Sequence, residues 1–284
     1  MLESGPALGF CAALTWGMVD VTVAILARRA SLLAVTLAVQ GTGTVMLVGL
    51  ALALGESADV TGAQWALIAL LSPVSGLAYL TFYKALGLGP VAIVSPIASA
   101  NGVLVVGLAV LVLGDPLSGI QAVGAVVVLI CAVLAGTEVG ERGSGAIGAG
   151  GPRLAAIASI AFGGYLFGLV VLVEDLGWLL PILLTRTGGL VVLATLARRR
   201  GGPVRLSASV FAFATAAGSL EIAGYLMFNR GADLGEAATT AAAASAYPLV
   251  PALCGVLFLR ERLAPHQIAG VAGVLGGMVL LSLG

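Results

Sequence analysis

Ionisable side chains inside long apolar runs are the residues of this sequence that could do chemistry. Glu221 lies near the middle of one such run, and Tyr225 and Phe228 follow it at helical spacing on the same face. A charged group in an apolar segment is costly, so it indicates a functional site by default. The Glu221 carboxylate could bind a substrate ammonium group or carry a proton. The alternative is a structural hydrogen bond to a neighbouring helix.

Asp20 and Arg186 raise the same question in two other apolar runs. Asp20 follows Trp16 by one helical turn, and it either serves the function or extends to a polar boundary nearby. Arg186 needs a partner, for which Asp20, Glu221 and a substrate carboxylate are the candidates. For Arg186 a structural pairing is slightly favoured.

Other polar and aromatic side chains in the apolar runs could line an internal cavity, although a single aromatic residue there more often serves packing. The residues that we predict to line a cavity are Trp16, Asp20, Ser75, Tyr79, Asn101, Tyr165, Glu221, Tyr225 and Tyr247.

The composition shows what must position these side chains. Of 284 residues, 60% are hydrophobic and 9% are charged, whereas soluble domains carry roughly 25% charged residues. So few charged residues cannot cover a water-facing surface. The chain is therefore predicted to lie in lipid. The formal net charge is zero, which gives no indication of nucleic-acid binding.

Ten apolar runs are long enough to cross a membrane as helices. They are continuous rather than alternating, which argues against barrel strands. The runs are 7–27, 32–54, 64–86, 90–113, 118–136, 153–173, 178–198, 208–230, 235–259 and 266–283.

The two halves of the chain are related by a shift of 146 residues without a gap. Over residues 79–129, 17 of 51 positions are identical to their partners in the second half. Tyr79 corresponds to Tyr225, while Glu221 corresponds to Ser75 and Arg186 to Gln40. With five spans each, an odd number, the halves must enter the membrane from opposite sides, which is a recurrent transporter design. The predicted domains are a first repeat, 1–136, a Gly-rich linker, 137–152, and a second repeat, 153–284.

Prolines lie within several predicted spans, where each removes a backbone hydrogen bond. Pro96 lies in the fourth span, and Pro248 and Pro251 lie in its repeat mate, the ninth. We predict gating hinges at these three residues, with static kinks as the alternative.

Several motifs together resemble the drug/metabolite transporter superfamily, and the ten-helix EamA-type exporters in particular. They are Trp16-Gly17, the helix end from Tyr79 to Leu86, Pro96, and the pattern that begins at Asp115 and Glu261 and continues x-Leu-x-x-x-Gln-x-x-Gly. One departure is Asp115, where the family usually has Glu. The resemblance implies export of amino acids or other small metabolites without ATP, through a cavity lined by spans 1, 3, 4, 6, 8 and 9.

The leading hypothesis is therefore a secondary transporter that exports amino acids or similar metabolites by alternating access. A drug or organic-cation exporter is the alternative, favoured by a negatively charged cavity and disfavoured if Arg186 points into it. A non-transporting membrane scaffold or sensor is the alternative from another class. Glu221 and Asp20 are the candidates for proton coupling.

No enzymatic activity, metal or cofactor is expected. The sequence has no GxxxxGK[ST] phosphate loop and no HExxH motif, and His266 is its single histidine. The expected partners are a small-molecule solute, the lipid bilayer and, as a coupling ion, the proton, with no nucleic acid. We expect a multi-pass protein of the inner cell membrane that can function as a monomer.

The basic residues predict an orientation. Eleven of the 13 basic residues, all except Arg186 and Arg230, fall in or beside the loops that follow spans 1, 3, 5, 7 and 9. The positive-inside rule places these loops in the cytoplasm and both termini outside. Members of the resembled family are generally drawn with both termini inside, and we prefer the charge-based orientation.

Overall fold

The computed structural model describes residues 4–57, 59–114, 118–136, 150–200, 205–231, 234, 240, 243–244 and 246–282. Within these residues the chain is helical, and no strand is found. The helices are α1 Gly5–Ala27, α2 Leu32–Leu54, α3 Gly62–Leu88, α4 Val91–Ser99, α5 Asn101–Leu108, α6 Gly119–Gly136, α7 Gly150–Leu176, α8 Leu179–Arg199, α9 Ala208–Gly231, α10 Leu249–Leu257 and α11 Pro265–Ser282.

Eight spans in the described part of the chain are long and apolar enough to cross a membrane, and Pro265–Leu281 is a shorter apolar helix. The predicted all-helical membrane fold is therefore confirmed. Most of the predicted ninth span, 235–259, lies outside the described residues, and α10 is its described end. Two predictions fall wholly or partly outside as well: Asp115, and the linker, of which residues 137–149 are not described. Helix α7 begins at Gly150, inside the predicted linker, and the predicted domain boundaries stay a prediction.

Local signals explain where the helices end. Thr61 caps α3 through a capping box, in which the Thr61 N–H donates to Gln64 Oε1 at 2.8 Å and the Gln64 N–H donates to Thr61 Oγ1 at 3.4 Å. Helix α2 stops at Gly55, whose φ of +66° suits glycine. The fourth span is interrupted at Ala100, between α4 and α5, four residues after Pro96. It continues past α5 as a π-helical segment, Ala109–Leu113.

The packing of α6 against α11 demonstrates the inverted repeat. A Cβ atom on Gly124 would lie 2.8 Å from the Gly277 backbone oxygen, and a Cβ atom on Gly270 would lie 2.8 Å from the Cys131 oxygen. The 146-residue shift converts each of these two contacts into the other. Positions further along α6 contact earlier positions of α11. The two helices are therefore antiparallel and related by a two-fold axis perpendicular to them, in the plane of the membrane.

The remaining helix contacts obey the same symmetry. Helix α1 packs on α9 as α7 packs on α3, and α2 packs on α9 as α8 packs on α3. Each helix of one repeat is thus seated on the other repeat, and the space around the two-fold axis is enclosed by both halves.

Candidate functional site

A cavity of about 580 Å³ lies between the two repeats, near the middle of the helix bundle. Rings of Trp, Tyr and Phe from both repeats form much of its wall. Two repeat-related ring pairs stand on opposite sides of the axis: Tyr79 against Phe162 at 5.0 Å between ring centroids, and Trp16 against Tyr225 at 5.3 Å. The walls are therefore nearly symmetric.

The charged residues of the second repeat break this symmetry. Arg186 donates to both carboxylate oxygens of Glu221, at 3.1 Å to Oε1 and 2.8 Å to Oε2. The Arg186 and Glu221 residues are only 2% and 5% exposed. A bidentate pair in this setting is geometrically specific, and each charge is compensated by the other. Of the alternatives left open for Arg186, the structure shows pairing with Glu221.

Residues of the first repeat complete the environment of this pair. The Tyr79 hydroxyl donates to Glu221 Oε1 at 2.7 Å, and the Arg186 guanidinium lies 5.6 Å from the centroid of the Tyr79 ring. The Trp16 indole N–H donates to the Glu221 backbone oxygen at 3.2 Å. Glu221 and Tyr79 line the cavity, whereas Arg186 stands behind them and does not.

Small residues make room for Arg186 between the helices. A Cβ atom on Gly43 of α2 would lie 2.9 Å from the Arg186 Cζ atom. A Cβ atom on Gly76 of α3 would lie 2.7 Å from the Gly189 oxygen of α8, so these two helices approach closely beside the pair. Close approach through glycine is typical of membrane helices.

Asp20 is the second buried carboxyl group of the cavity wall, at 5% exposure. Its Oδ2 accepts a hydrogen bond from the Ser95 hydroxyl of α4. Among the residues that the structure describes, no basic side chain forms an ion pair with Asp20. Asp20 is thus a buried acid without a compensating cation in the described part of the chain.

The structure brings most of the predicted cavity residues together. Ser75 is the exception: it is buried at 1% exposure and does not line the cavity. The others line it: Trp16, Asp20, Tyr79, Asn101, Tyr165, Glu221, Tyr225 and Tyr247.

The predicted hinge residues lie at or beside helix interruptions. Pro96 lies inside α4, and its backbone oxygen accepts from the Ser99 hydroxyl at 2.7 Å, just before the break at Ala100. Pro248 is the N-cap of α10, and Pro251 lies inside that helix. Their positions fit a bend, and their role in gating stays a prediction.

Several cavity residues were not predicted from the sequence. Phe82, Phe162 and Phe228 extend the aromatic walls, and the repeat could have found them, because Phe82 corresponds to Phe228 and Phe162 to Trp16. Trp178 gave no such signal, since it lies at the start of α8 and its repeat mate is Leu32.

The comparisons with known proteins agree with the two-repeat fold. The model of the EamA-like transporter family matches the chain twice, over residues 3–137 and 150–283. Among curated proteins no relative matches the chain. A solved structure, described only as a crystal structure of a protein, is similar to this chain, with 18% sequence identity and a TM-score of 0.64. The similarity covers 97% of this chain and 95% of that one, and at this identity it shows the fold alone.

Proposed function

As a member of the EamA-like transporter family, this chain is a multi-pass membrane transporter of small solutes, and we propose that it exports small organic cations by alternating access. The observation that carries this proposal is the charge of the cavity. Glu221 and Arg186 compensate each other, whereas Asp20 faces the same cavity without a basic partner among the described residues. With Asp20 ionised, the cavity wall has a net negative charge.

The aromatic residues of the cavity wall also favour an organic cation. Aromatic faces attract cations, and this attraction strengthens where water is excluded. The rings of Trp16, Tyr225 and Tyr247 form a cluster. The centroid of the Trp16 ring lies 5.3 Å from that of Tyr225 and 6.2 Å from that of Tyr247. This cluster and Asp20 line the same cavity. An organic cation with an apolar body would meet a carboxylate and aromatic rings together.

Charges outside the cavity also favour a cation. The cavity extends to Val173 and Trp178, beside the turn between α7 and α8. The exposed acids Glu56 and Asp59, which follow α2, and Asp175, in the last turn of α7, lie at this end of the bundle. Arg230, near the end of α9, is the one exposed basic residue among the described residues at this end, so acids are in excess at the mouth, and such an excess raises the local concentration of cations.

Amino acids and similar metabolites are the second candidate. A zwitterion would need a donor for its carboxylate, and Arg186 is already paired with both carboxylate oxygens of Glu221 and does not line the cavity. The amide groups of Asn101 and Asn229 line the cavity and could donate instead. They are neutral donors, so they would hold a carboxylate less strongly than an arginine does.

Asp20 is also the better candidate for proton coupling. If Glu221 were protonated, the buried Arg186 would lose its counter-ion, which is strongly unfavourable. Protonation of Asp20 removes the counter-ion of no cation, because none of the described basic residues pairs with Asp20. A proton and an organic cation would compete for this carboxyl group, which would couple the two fluxes. We place the protein in the inner cell membrane, where a proton gradient could drive such an exchange.

Uptake by proteoliposomes tests the proposal. An organic cation that does not cross lipid unaided, such as tetraethylammonium, should be taken up, and zwitterionic amino acids should be taken up poorly. Asp20→Asn should reduce cation uptake at least tenfold and remove its dependence on an imposed proton gradient. Glu141→Gln, which removes an acid of the predicted linker between the repeats, is the charge-matched control and should behave like the unaltered protein. Uptake of amino acids alone, or uptake unaffected by Asp20→Asn, would refute the proposal.

A further inference from the structure

A polar cluster closes the end of the bundle opposite Val173 and Trp178. At this end, called the basic end here, α1 ends and the segments 28–31, 89–90 and 258–264 lie together. The Arg28 guanidinium donates to the Gly89 oxygen at 2.7 Å and to Glu261 Oε1 at 3.3 Å. Arg28 belongs to the first repeat and Glu261 to the second, so the ion pair joins the two halves.

Glu261 also binds the start of α4. Its Oε1 accepts from the Val91 N–H at 2.9 Å, and its Oε2 accepts from the Ala92 N–H at 3.0 Å. Free N–H groups and the positive end of the helix dipole favour a carboxylate at this place. The backbone is shaped for the contact, since Arg260 has a φ of 55°, unusual for a residue other than glycine, and the Glu261 N–H donates to the Gly255 oxygen.

The repeat mates of the ion pair cannot form the same contact. The 146-residue shift relates Arg28 to Glu174 and Glu261 to Asp115, so the corresponding pair in sequence is two acids. Neither the Glu174 side chain nor Asp115 is among the described parts of the structure. Opposite charges attract at the basic end, whereas like charges would be brought together at the other end if it closed in the symmetric manner.

The cavity has the asymmetry that this difference predicts. It extends to Val173 and Trp178, but their repeat mates, Ala27 and Leu32, do not line it. Resting on the alternating-access part of the proposed function, we infer that Arg28 and Glu261 form a latch that holds the basic end closed and biases the transporter towards the state open at the opposite end.

A distant reporter tests the latch without any substrate. In a background with Cys11, Cys131 and Cys254 replaced by serine, Asn229→Cys places a single thiol in the cavity towards the end opposite the latch. Its labelling rate with a membrane-impermeant thiol reagent in detergent measures how open that end is. Arg28→Ala should lower this rate about fivefold, the change expected when a two-state equilibrium loses one charged contact. Arg29→Ala, at the exposed neighbour, should leave it unchanged.

A second variant keeps the native latch intact. Glu174 corresponds to Arg28 in the repeat, so Glu174→Arg supplies at the other end the basic residue that the acidic pair in sequence lacks; it should favour closure of that end and lower the labelling rate at position 229. Equal rates for Arg28→Ala and Arg29→Ala would overturn the latch, and if Arg28→Ala does not fold, an unchanged rate for Glu174→Arg would do so. Solute exchange that persists in either case would show that the latch, and not alternating access, is wrong.

Discussion

At the scale of single residues, the central feature is that two buried acids have different roles. Glu221 is held by Arg186 and by the Tyr79 hydroxyl, so it serves as one half of a structural ion pair in the cavity wall. Asp20 accepts from Ser95 and faces the cavity without a basic partner among the described residues. The free energy of folding therefore depends on the first acid, and solute binding is proposed to depend on the second.

The Arg186–Glu221 pair should show strong energetic coupling. Arg186→Met or Glu221→Met alone leaves an uncompensated buried partner, which should lower the unfolding free energy by about 3–5 kcal/mol. The double variant Arg186→Met/Glu221→Met removes both charges and should recover most of that loss. Unfolding in mixed detergent micelles measures the cycle, and additive single effects of under about 1 kcal/mol would contradict a tightly coupled pair.

The sequence identified these ionisable residues but could not pair them. A charged group in an apolar segment costs free energy, and this alone singles out Asp20, Arg186 and Glu221 by their positions in the sequence. The choice among partners depends on which helices touch: α2 packs on both α8 and α9, and Gly43 of α2 leaves the space for the Arg186 side chain that reaches Glu221. No spacing along the chain contains that information.

At the scale of helices, glycine determines which surfaces can meet. Helices α6 and α11 are in contact along glycines that leave no room for side chains, and α3 meets α8 at Gly76 and Gly189. Without a hydrophobic effect between helices in lipid, such close packing supplies much of the attraction. Gly270, Gly273 and Gly277 recur at helical spacing in the sequence, but the sequence does not show the helix on which they pack.

Two adjacent glycines of α11 provide a matched test. A Cβ atom on Gly277 would lie 2.7 Å from Val128 Cγ2 and 2.9 Å from the Gly124 oxygen, whereas nothing lies within 4 Å of one on Gly276. Gly277→Ala should therefore destabilise the protein by about 1–3 kcal/mol, the cost of overpacking. Gly276→Ala should be neutral or slightly stabilising because alanine favours the helix. Thermal unfolding in detergent compares them, and equal melting temperatures would contradict the packing.

At the scale of the whole molecule, the repeat gives the protein two related ends with different charges. The exposed acids Glu56, Asp59 and Asp175 lie at one end, and the Arg28–Glu261 pair closes the other. The inverted relation was predictable, because the shift of 146 residues and five spans per half require it. The direction in which the cavity extends could not be predicted from the sequence, because it depends on which of two similar packings has the lower free energy.

The orientation in the membrane follows from the same charge difference. The basic end should face the cytoplasm, which places both termini and the mouth at Val173 outside. A terminal fusion to alkaline phosphatase, active only outside the cytoplasm, should therefore be active. A terminal fluorescent protein that folds only in the cytoplasm should be dark, and the reverse pattern would show that both termini lie inside.

Counterflow in proteoliposomes tests the central claim, alternating access around one cavity, most directly. A binding site that faces one side at a time exchanges solute faster than it completes a net cycle. Liposomes loaded with unlabelled organic cation should therefore accumulate the labelled cation transiently above its external concentration, and empty liposomes should not. Uptake of label that rises only to the external concentration, whether or not the liposomes are loaded, would contradict alternating access.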